Sequence, residues 1–169
     1  MAHQRDGENE AWLDRLAIQD VIVRYSDAAT RGSWDEFEAL WMPEAVWEVG
    51  PPIDTRIVGV RAIRDDVTAS LGAVDFFVQM THGSVVTLLG DGRASATTTI
   101  HALARRRGHH EVTNYGVYYD ELVKAHGTWK FARRRLQPVY TDTSPLPGVA
   151  PITRAELAAL PSILQPPPS

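Results

Sequence analysis

Four long strand-like runs follow one another in the second half of the sequence, and they constrain the fold more than any other feature. They cover residues 76–89, 93–107, 109–125 and 128–140, separated by the turn signals GDG, RGHH and HG. Period-two alternation over such runs predicts half-buried strands, and tight turns join neighbouring strands in antiparallel order. Long antiparallel strands twist strongly, so we expect a curled sheet with a concave face.

The first half of the sequence predicts the helices that cover this face. Residues 11–31 are apolar around most of the helical circumference, which is typical of a largely buried helix. Ser33 and Glu36 form a capping-box pattern for a short second helix that includes Trp41 and ends at Pro43. AVWEV and RIVG then read as short strands, and VRAIRDDVTASL as a third helix.

Helices followed by a meander predict an α+β fold. We expect a conical α+β barrel, with the N-terminal helices packed in the concave face of a strongly curved, mainly antiparallel sheet. Residues 1–10 are predicted to be a flexible N-terminus and residues 11–143 the domain. Residues 144–169 are predicted to be a Pro-rich tail with one short helix capped by Thr153 and Glu156. The tail could be disordered, a lid over the cone or an arm onto a neighbouring subunit.

Composition excludes several classes of function. The chain has no cysteine, which excludes disulfides, thiolate nucleophiles and Cys-ligated zinc. The polar N-terminus and the lack of a long apolar stretch predict a cytoplasmic protein that neither crosses a membrane nor carries a signal peptide. A net charge of −4 argues against nucleic acid as a partner. The arginine runs at 105–107 and 133–135 are interpreted as solvated strand ends or subunit contacts.

The first helix presents a problem of charge placement. One of its stripes contains the carboxylates of Asp20 and Asp27 among apolar residues, namely Leu13, Leu16 and Val23. Asp20 has Arg24 at the i+4 spacing as a partner. If the stripe is buried, Asp27 needs a partner as well, because removing an unpaired charge from water costs several kcal/mol or more.

Histidines on the predicted sheet offer that partner. His82 alternates in phase with Met80, Ser84 and Val86, which predicts that it projects from the inner face. If the sheet curls around the first helix, Asp27 can accept the proton of one His82 nitrogen and leave the other nitrogen free as a general base. His101 alternates with Thr97 and Thr99 in the next strand, and Asn114 alternates with Tyr118 in the third.

Several motifs together carry a family resemblance: RYSDAATRGSWDEFEALW, THGSVVTLLGDGRASATT and YGVYYDELVKAHGTWKFARRR. The chain resembles the SnoaL-like branch of the nuclear-transport-factor-like superfamily, closest in pattern to scytalone dehydratase and the hexachlorocyclohexane dehydrochlorinases. That resemblance implies an Asp–His dyad, with Asp27 in RYSD and His82 in THGS. It further implies that His101 is a second pocket histidine and that Tyr25 is a pocket tyrosine. Many members of this superfamily form dimers or trimers, so we expect a homo-oligomer.

The resulting hypothesis is a cofactor-free lyase or isomerase that removes a proton from a small, hydrophobic, cyclic substrate, in the manner of a dehydratase or dehydrohalogenase. The predicted catalytic residues are Asp27, His82 and His101. The predicted substrate-binding residues are Tyr25, Trp47, Met80, Ser84, Asn114 and Tyr118. The histidines lack a metal-ligand spacing, so no metal is expected.

Other interpretations of the same residues remain open. Asp27 could lie at the end of a helix with a shorter inner face, His82 could be a hydrogen-bonded core histidine, and His101 could turn outward. The chain could be a noncatalytic partner subunit or ligand-binding protein resembling the small subunit of ring-hydroxylating dioxygenases. It could also be a polyketide cyclase or a limonene-type epoxide hydrolase, the latter requiring Arg24, Asp27 and Asp120 to converge.

Overall fold

The computed structural model describes residues 2–106 and 110–159. The chain forms four helices and six strands within these ranges. In chain order the elements are α1 (Ala2–Arg31), α2 (Trp34–Ala39), β1 (Trp41–Val49), β2 (Thr55–Val58), α3 (Val60–Gly72), β3 (Val74–Gly90), β4 (Arg93–Arg106), β5 (His110–Ala125), β6 (Thr128–Asp142) and α4 (Arg154–Ala159). None of the helices in the described part of the chain is long and apolar enough to span a membrane.

All six strands belong to one sheet, which is not closed, in the order β2-β1-β6-β5-β4-β3. Every neighbouring pair is antiparallel except β1 and β6, which are parallel. The core lies between the inner face of this sheet and the three helices that precede β3. The predicted α+β class, with helices on one face of a mainly antiparallel sheet, is confirmed.

Helix α1 buries one side only. Its core-facing residues are less than a tenth exposed, and they include Ile18, Ile22, Tyr25 and Ala28. The opposite stripe faces solvent: Leu13 is 67% exposed and Leu16 is 59% exposed. The prediction of a helix buried around most of its circumference is therefore wrong, because only the Ile18 side packs against the sheet.

The second helix is shorter than predicted. It ends at Ala39, so Trp41 begins strand β1 and Pro43 lies inside that strand. The Ser33 side chain makes no capping hydrogen bond, so the predicted capping box does not form. Strand β1 pairs with β6 at Trp41 and then again from Val46 onward, with an irregular stretch between these two residues. Pro43, which has no N–H to donate, lies in that irregular stretch.

A carboxylate near the middle of α1 joins that helix to the β5–β6 hairpin. Asp14 Oδ1 accepts hydrogen bonds from Lys124 Nζ at 2.7 Å and from Trp129 Nε1 at 2.8 Å. Trp129 is buried, and the Asp14 side chain is 19% exposed. This contact joins the start of the domain to the turn between its last two strands. Helix α1 begins at Ala2 and therefore includes residues 2–10 of the segment predicted to be a flexible N-terminus, whose flexibility stays a prediction.

The tail runs back onto the domain. Arg105 Nη1 donates to the carbonyl oxygens of Gly148 at 2.9 Å and Leu146 at 3.4 Å. Helix α4 follows and contacts both α1 and β3. Its predicted capping box is confirmed: the Thr153 N–H donates to Glu156, and the Glu156 N–H donates to the Thr153 hydroxyl. The first three residues of the predicted RGHH turn, 107–109, and the last part of the tail, 160–169, lie outside the described residues.

Candidate active site

A β-bulge decides where His82 points. The pairing of β3 with β4 passes from Thr81 opposite Ile100 to Ser84 opposite Thr98, so two residues of β3 stand against one of β4. The bulge reverses the alternation: Gln79 faces inward before it and Ser84 faces inward after it. His82 lies in the bulge and is exposed. The expectation that His82 projects into the core placed it in phase with Ser84 and Val86, and it is wrong because the bulge lies between His82 and those residues.

Asp27 lies on the exposed stripe of α1. Its carboxylate accepts from Arg31 Nε at 2.9 Å, one helical turn further on, and its side chain is 53% exposed. Glu36 shares the same guanidinium at 2.9 Å. Asp20 pairs with Arg24 at 2.6 Å, as the i+4 spacing predicts. The structure therefore does not bring Asp27 and His82 together, and the carboxylate in the apolar stripe is solvated.

His101 and Met80 face away from the helices. They stand opposite each other on β4 and β3, and the neighbouring Ile100 is the residue that enters the core. The His101 ring stacks on Tyr115 of β5 with centroids 4.2 Å apart. Met80 is 38% exposed. The expected inward orientation of both residues is wrong, because strand alternation assigns them to the outer face.

A cavity of about 170 Å³ lies between α1, α3 and the inner face of the sheet. Most of its walls are apolar, with a few hydrogen-bonding groups among them. It is lined by Tyr25, Ala29, Trp47, Asp66, Val67, Ser70, Leu71, Phe77, Gln79, Ile100, Ala102, Asn114, Tyr118 and Leu136. Four predicted binding residues, Tyr25, Trp47, Asn114 and Tyr118, lie in this lining. Ser84 also faces inward, but it bonds to Thr98 at 2.8 Å outside the lining.

Gln79 organises the polar side of the cavity. Its Nε2 donates to the Ser26 hydroxyl at 2.9 Å, and its backbone N–H donates to the Thr30 hydroxyl at 3.1 Å. Its Oε1 accepts from the Tyr118 hydroxyl at 3.4 Å. Around Gln79, α1 and β3 are thus joined by two hydroxyls and an amide residue, where the sequence predicted a carboxylate and an imidazole.

The two cavity tyrosines are held in their neutral form. Both Tyr25 and Tyr118 are buried, at 3% and 2% exposure. Burial raises the pKa of Tyr25 and raises the pKa of Tyr118 well above its ordinary value, because the phenolate is poorly solvated there. The positive charge of Arg134 opposes both increases without cancelling them. At neutral pH both groups are therefore phenols that can donate a hydrogen bond.

An ion pair lies behind these tyrosines. Arg134 is fully buried and Asp120 is 3% exposed. Arg134 Nη2 donates to Asp120 Oδ2 at 3.2 Å, and Nε lies 3.0 Å from Oδ1 in a contact without hydrogen-bond geometry. Burial raises the pKa of Asp120 to about 6, although Arg134 acts to lower it. The interpretation of residues 133–135 as solvated fails for Arg134.

Three residues of this region were missed by the sequence analysis, for different reasons. Asp66 lies three residues after the buried Ile63 on α3, and this i+3 spacing was a usable signal. Gln79 alternates with Phe77 along β3, and this alternation was a weaker signal. Arg134 had no signal, because the pairing of β6 with β5 shifts between Phe131 and Arg133 and turns the middle arginine inward.

The other constellations considered from sequence do not assemble. Arg24 and Asp27 are exposed on α1 and paired within that helix, whereas Asp120 is buried against Arg134. The Asp-Arg-Asp cluster expected for an epoxide hydrolase is therefore not formed by these residues. Within residues 2–106 and 110–159, no group of three histidines or carboxylates is placed to hold a metal ion.

Comparison with known families identifies the domain. The profile described as "SnoaL-like domain" matches residues 10–135. The chain belongs to the SnoaL-like family. This assignment confirms the resemblance carried by the RYSD and THGS motifs, and it is independent of where their side chains point. No curated protein matches the chain significantly.

Solved structures with the same fold include two with enzyme names. A putative scytalone dehydratase from Novosphingobium aromaticivorans superposes with a TM-score of 0.74 at 20% identity, covering 86% of this chain and 97% of that one. A hexachlorocyclohexane dehydrochlorinase, LinA type 2, gives 0.77 at 16% identity, with 85% and 97% covered. The Kfla4162 protein from Kribbella flavida gives 0.73 at 20% identity, with 88% and 98% covered. At these identities the likeness shows the fold alone.

Proposed function

We propose that this SnoaL-like chain binds a small, mainly apolar cyclic carbonyl compound in the α1–α3 cavity and acts on it as a cofactor-free lyase or isomerase. One observation carries the proposal: the cavity combines two neutral phenols, Tyr25 and Tyr118, with one carboxylate, Asp66, in an otherwise largely apolar lining. Neutral donors and a base are the two kinds of group that proton abstraction beside a carbonyl requires.

The cavity suits a ring compound with few polar groups. Aliphatic and aromatic side chains from five strands and two helices form its walls, and ligand sites of this kind bind by apolar contact with a few orienting hydrogen bonds. Its volume of about 170 Å³ fits one or two fused rings rather than a large polyketide. The names of two structural neighbours, a dehydratase and a dehydrochlorinase, agree with an elimination on such a compound.

The proposed step assigns one role to each group. The Asp66 carboxylate takes the proton from the carbon beside the carbonyl, and the electron pair of the broken C–H bond moves onto the carbonyl oxygen as an enolate. Tyr118 and Tyr25 donate hydrogen bonds to that oxygen as its charge develops. If a carbon–carbon double bond is conjugated with the enolate, Asp66 returns its proton to the far carbon of that system, giving isomerisation. If the next carbon carries a hydroxyl or a halogen, the enolate expels it as hydroxide or halide, giving elimination.

Hydrogen exchange on a simple ketone tests this chemistry without knowledge of the natural substrate. Indanone in deuterated water exchanges the protons beside its carbonyl, and proton NMR follows the loss of their signal. We expect the protein to accelerate exchange, and Asp66→Asn to lower the enzymatic rate by roughly 10²–10⁴-fold. Tyr118→Phe should lower it by roughly 10²–10³-fold, because one of two oxyanion donors is removed.

Matched variants outside the cavity serve as controls. Asp27→Asn and His82→Ala alter the residues first predicted to be catalytic, both of which are exposed. The proposal expects both to retain wild-type exchange. Loss of exchange in these two variants with retention in Asp66→Asn would contradict the proposed site and favour an Asp27–His82 dyad formed in another conformation.

A noncatalytic role is the second candidate, and one observation favours it. Among the described lining residues there is no imidazole, and the single carboxylate, Asp66, lies on an exposed part of α3. A ligand-binding protein or partner subunit would bind indanone, detected by saturation transfer, without accelerating exchange. Copurification with a large iron-containing chain would identify the partner-subunit case. Assembly into a homo-oligomer stays a prediction, to be checked by light scattering.

A further inference from the structure

The guanidinium of Arg134 is enclosed by aromatic rings. Its Cζ lies 4.1 Å from the ring centroid of Tyr25, 3.9 Å from that of Tyr118 and 4.3 Å from that of Phe131. A planar cation over ring faces is attracted by their negative quadrupole, and the attraction is stronger away from water. Arg134 is fully buried, so these contacts are desolvated.

A carboxylate, that of Asp120, also contacts the guanidinium of Arg134. Asp120 on β5 contacts its Nε and Nη2, which fixes the plane of the group relative to the sheet. Tyr118 is two residues before Asp120 on the same strand and the same face, whereas Tyr25 comes from α1. The guanidinium therefore connects two phenols that reach the cavity from different elements, and the two rings meet edge to face with centroids 5.7 Å apart.

We propose that Arg134, oriented by Asp120, is a positioning residue that fixes the Tyr25 and Tyr118 rings so that their hydroxyls converge on the ligand carbonyl. This role rests on the proposed function of the cavity. Neither charged residue is part of the cavity lining, so the pair acts through the rings rather than on the ligand. Hydrogen-bond donors held on rigid supports are the usual requirement for stabilising a developing oxyanion.

The positioning role requires a planar cationic side chain at position 134. Lysine keeps the charge but has no planar face to lie against two rings, so Arg134→Lys should not restore positioning. Arg133 offers a matched control, because it is the preceding residue on β6 but pairs with Glu48 and Glu121 on the outer side. Arg133→Met removes an equal charge without touching either tyrosine.

The test must separate positioning from stability, since removing one partner of a buried ion pair can unfold the protein. The double variant Arg134→Met with Asp120→Val removes both charges and replaces them by apolar groups, which is often neutral for folding. We expect it to melt close to wild type while its enzymatic exchange of indanone falls by about tenfold to a hundredfold. Arg134→Lys should show a comparable loss, and Arg133→Met none.

A second readout does not depend on catalysis. In protein with carbon-13-labelled tyrosine rings, NMR reports whether the Tyr25 and Tyr118 rings flip slowly, as clamped rings do, or rapidly. We expect the double variant to accelerate flipping of both rings. A folded double variant with wild-type exchange and wild-type ring flipping would overturn the positioning role. If wild type neither binds indanone nor exchanges it, the proposed function fails, and the ring-flip comparison still decides the positioning.

Discussion

Two carboxylate–arginine pairs in this protein have the same chemistry and opposite surroundings. Asp27 and Arg31 pair on the exposed stripe of α1, where their side chains are 53% and 35% exposed. Asp120 and Arg134 pair beneath the cavity, where both side chains are fully buried. Water screens the first pair and stabilises each charge separately. Water does not screen the second pair, so its contribution to the free energy of unfolding depends on the geometry of the pair. Burial rather than pairing therefore decides which carboxylate contributes to the stability of the fold.

The largest expected effect is at the buried pair. Arg134→Met leaves the Asp120 charge without its partner, and breaking a buried pair in this way costs about 3–5 kcal/mol. Urea unfolding of the variant against wild type measures the difference, with Arg133→Met as the control for loss of a neighbouring positive charge. A loss below about 1 kcal/mol would mean that Asp120 reaches water or takes up a proton at little cost.

The next effect is a pH dependence whose sign is set by Asp120. Its folded pKa of about 6 exceeds the ordinary value of 3.8, so the folded state binds the extra proton between these pH values. The contribution of this group to the free energy of unfolding therefore falls as pH rises from about 4 to about 6. Relative to Asp120→Asn, wild type should gain about 2 kcal/mol when the pH is lowered from 7 to 4. A constant difference between the two proteins would contradict the assigned pKa.

Asp14 provides a case of intermediate burial. Its side chain is 19% exposed and accepts hydrogen bonds from Lys124 and Trp129. Burial acts to raise the pKa of Asp14, but these two hydrogen bonds outweigh it and lower the pKa. Asp14→Asn should cost about 1–3 kcal/mol, because it weakens both bonds to a partly buried carboxylate. The Asp14 contribution should also be lost as pH falls through its folded pKa, opposite in sign to that of Asp120.

The smallest effect is expected at the exposed pair. Asp27→Asn weakens one i+4 ion pair in water, which is worth less than about 1 kcal/mol. High salt should reduce even this difference, whereas it should leave the buried pair almost unaffected. Urea unfolding at low and high ionic strength checks both statements. A loss comparable to that of Arg134→Met would show that Asp27 is buried in solution.

The sequence predicted the architecture well because long-range periodicity determines it. Strands predicted at 93–107 and 109–125 appear as Arg93–Arg106 and His110–Ala125, and the third helix buries Ile63 and Val67 as its spacing required. These elements depend on patterns repeated over many residues, so a single irregularity does not displace them. The confirmed family assignment rests on the same extended pattern.

The candidate site was less predictable because its residues depend on single irregularities. One bulge in β3 separates His82, which lies on the outer side with Met80, from the inward phase of Ser84, and one register shift in β6 turns Arg134 inward. A bulge is fixed by the partner strand, which local alternation does not include. Helix α1 posed a related difficulty: it is apolar on two sides, so spacing alone did not show that the Tyr25 side packs and the Asp27 side stays in water.

Amide NMR titration of the wild-type protein with indanone tests the position of the ligand site most directly. We expect the largest shifts at residues around the α1–α3 cavity, among them Gln79, Tyr118 and Leu136, with little change at His82 and Met80. Shifts concentrated at His82, Met80 and Asp27, with the cavity residues unchanged, would contradict this position.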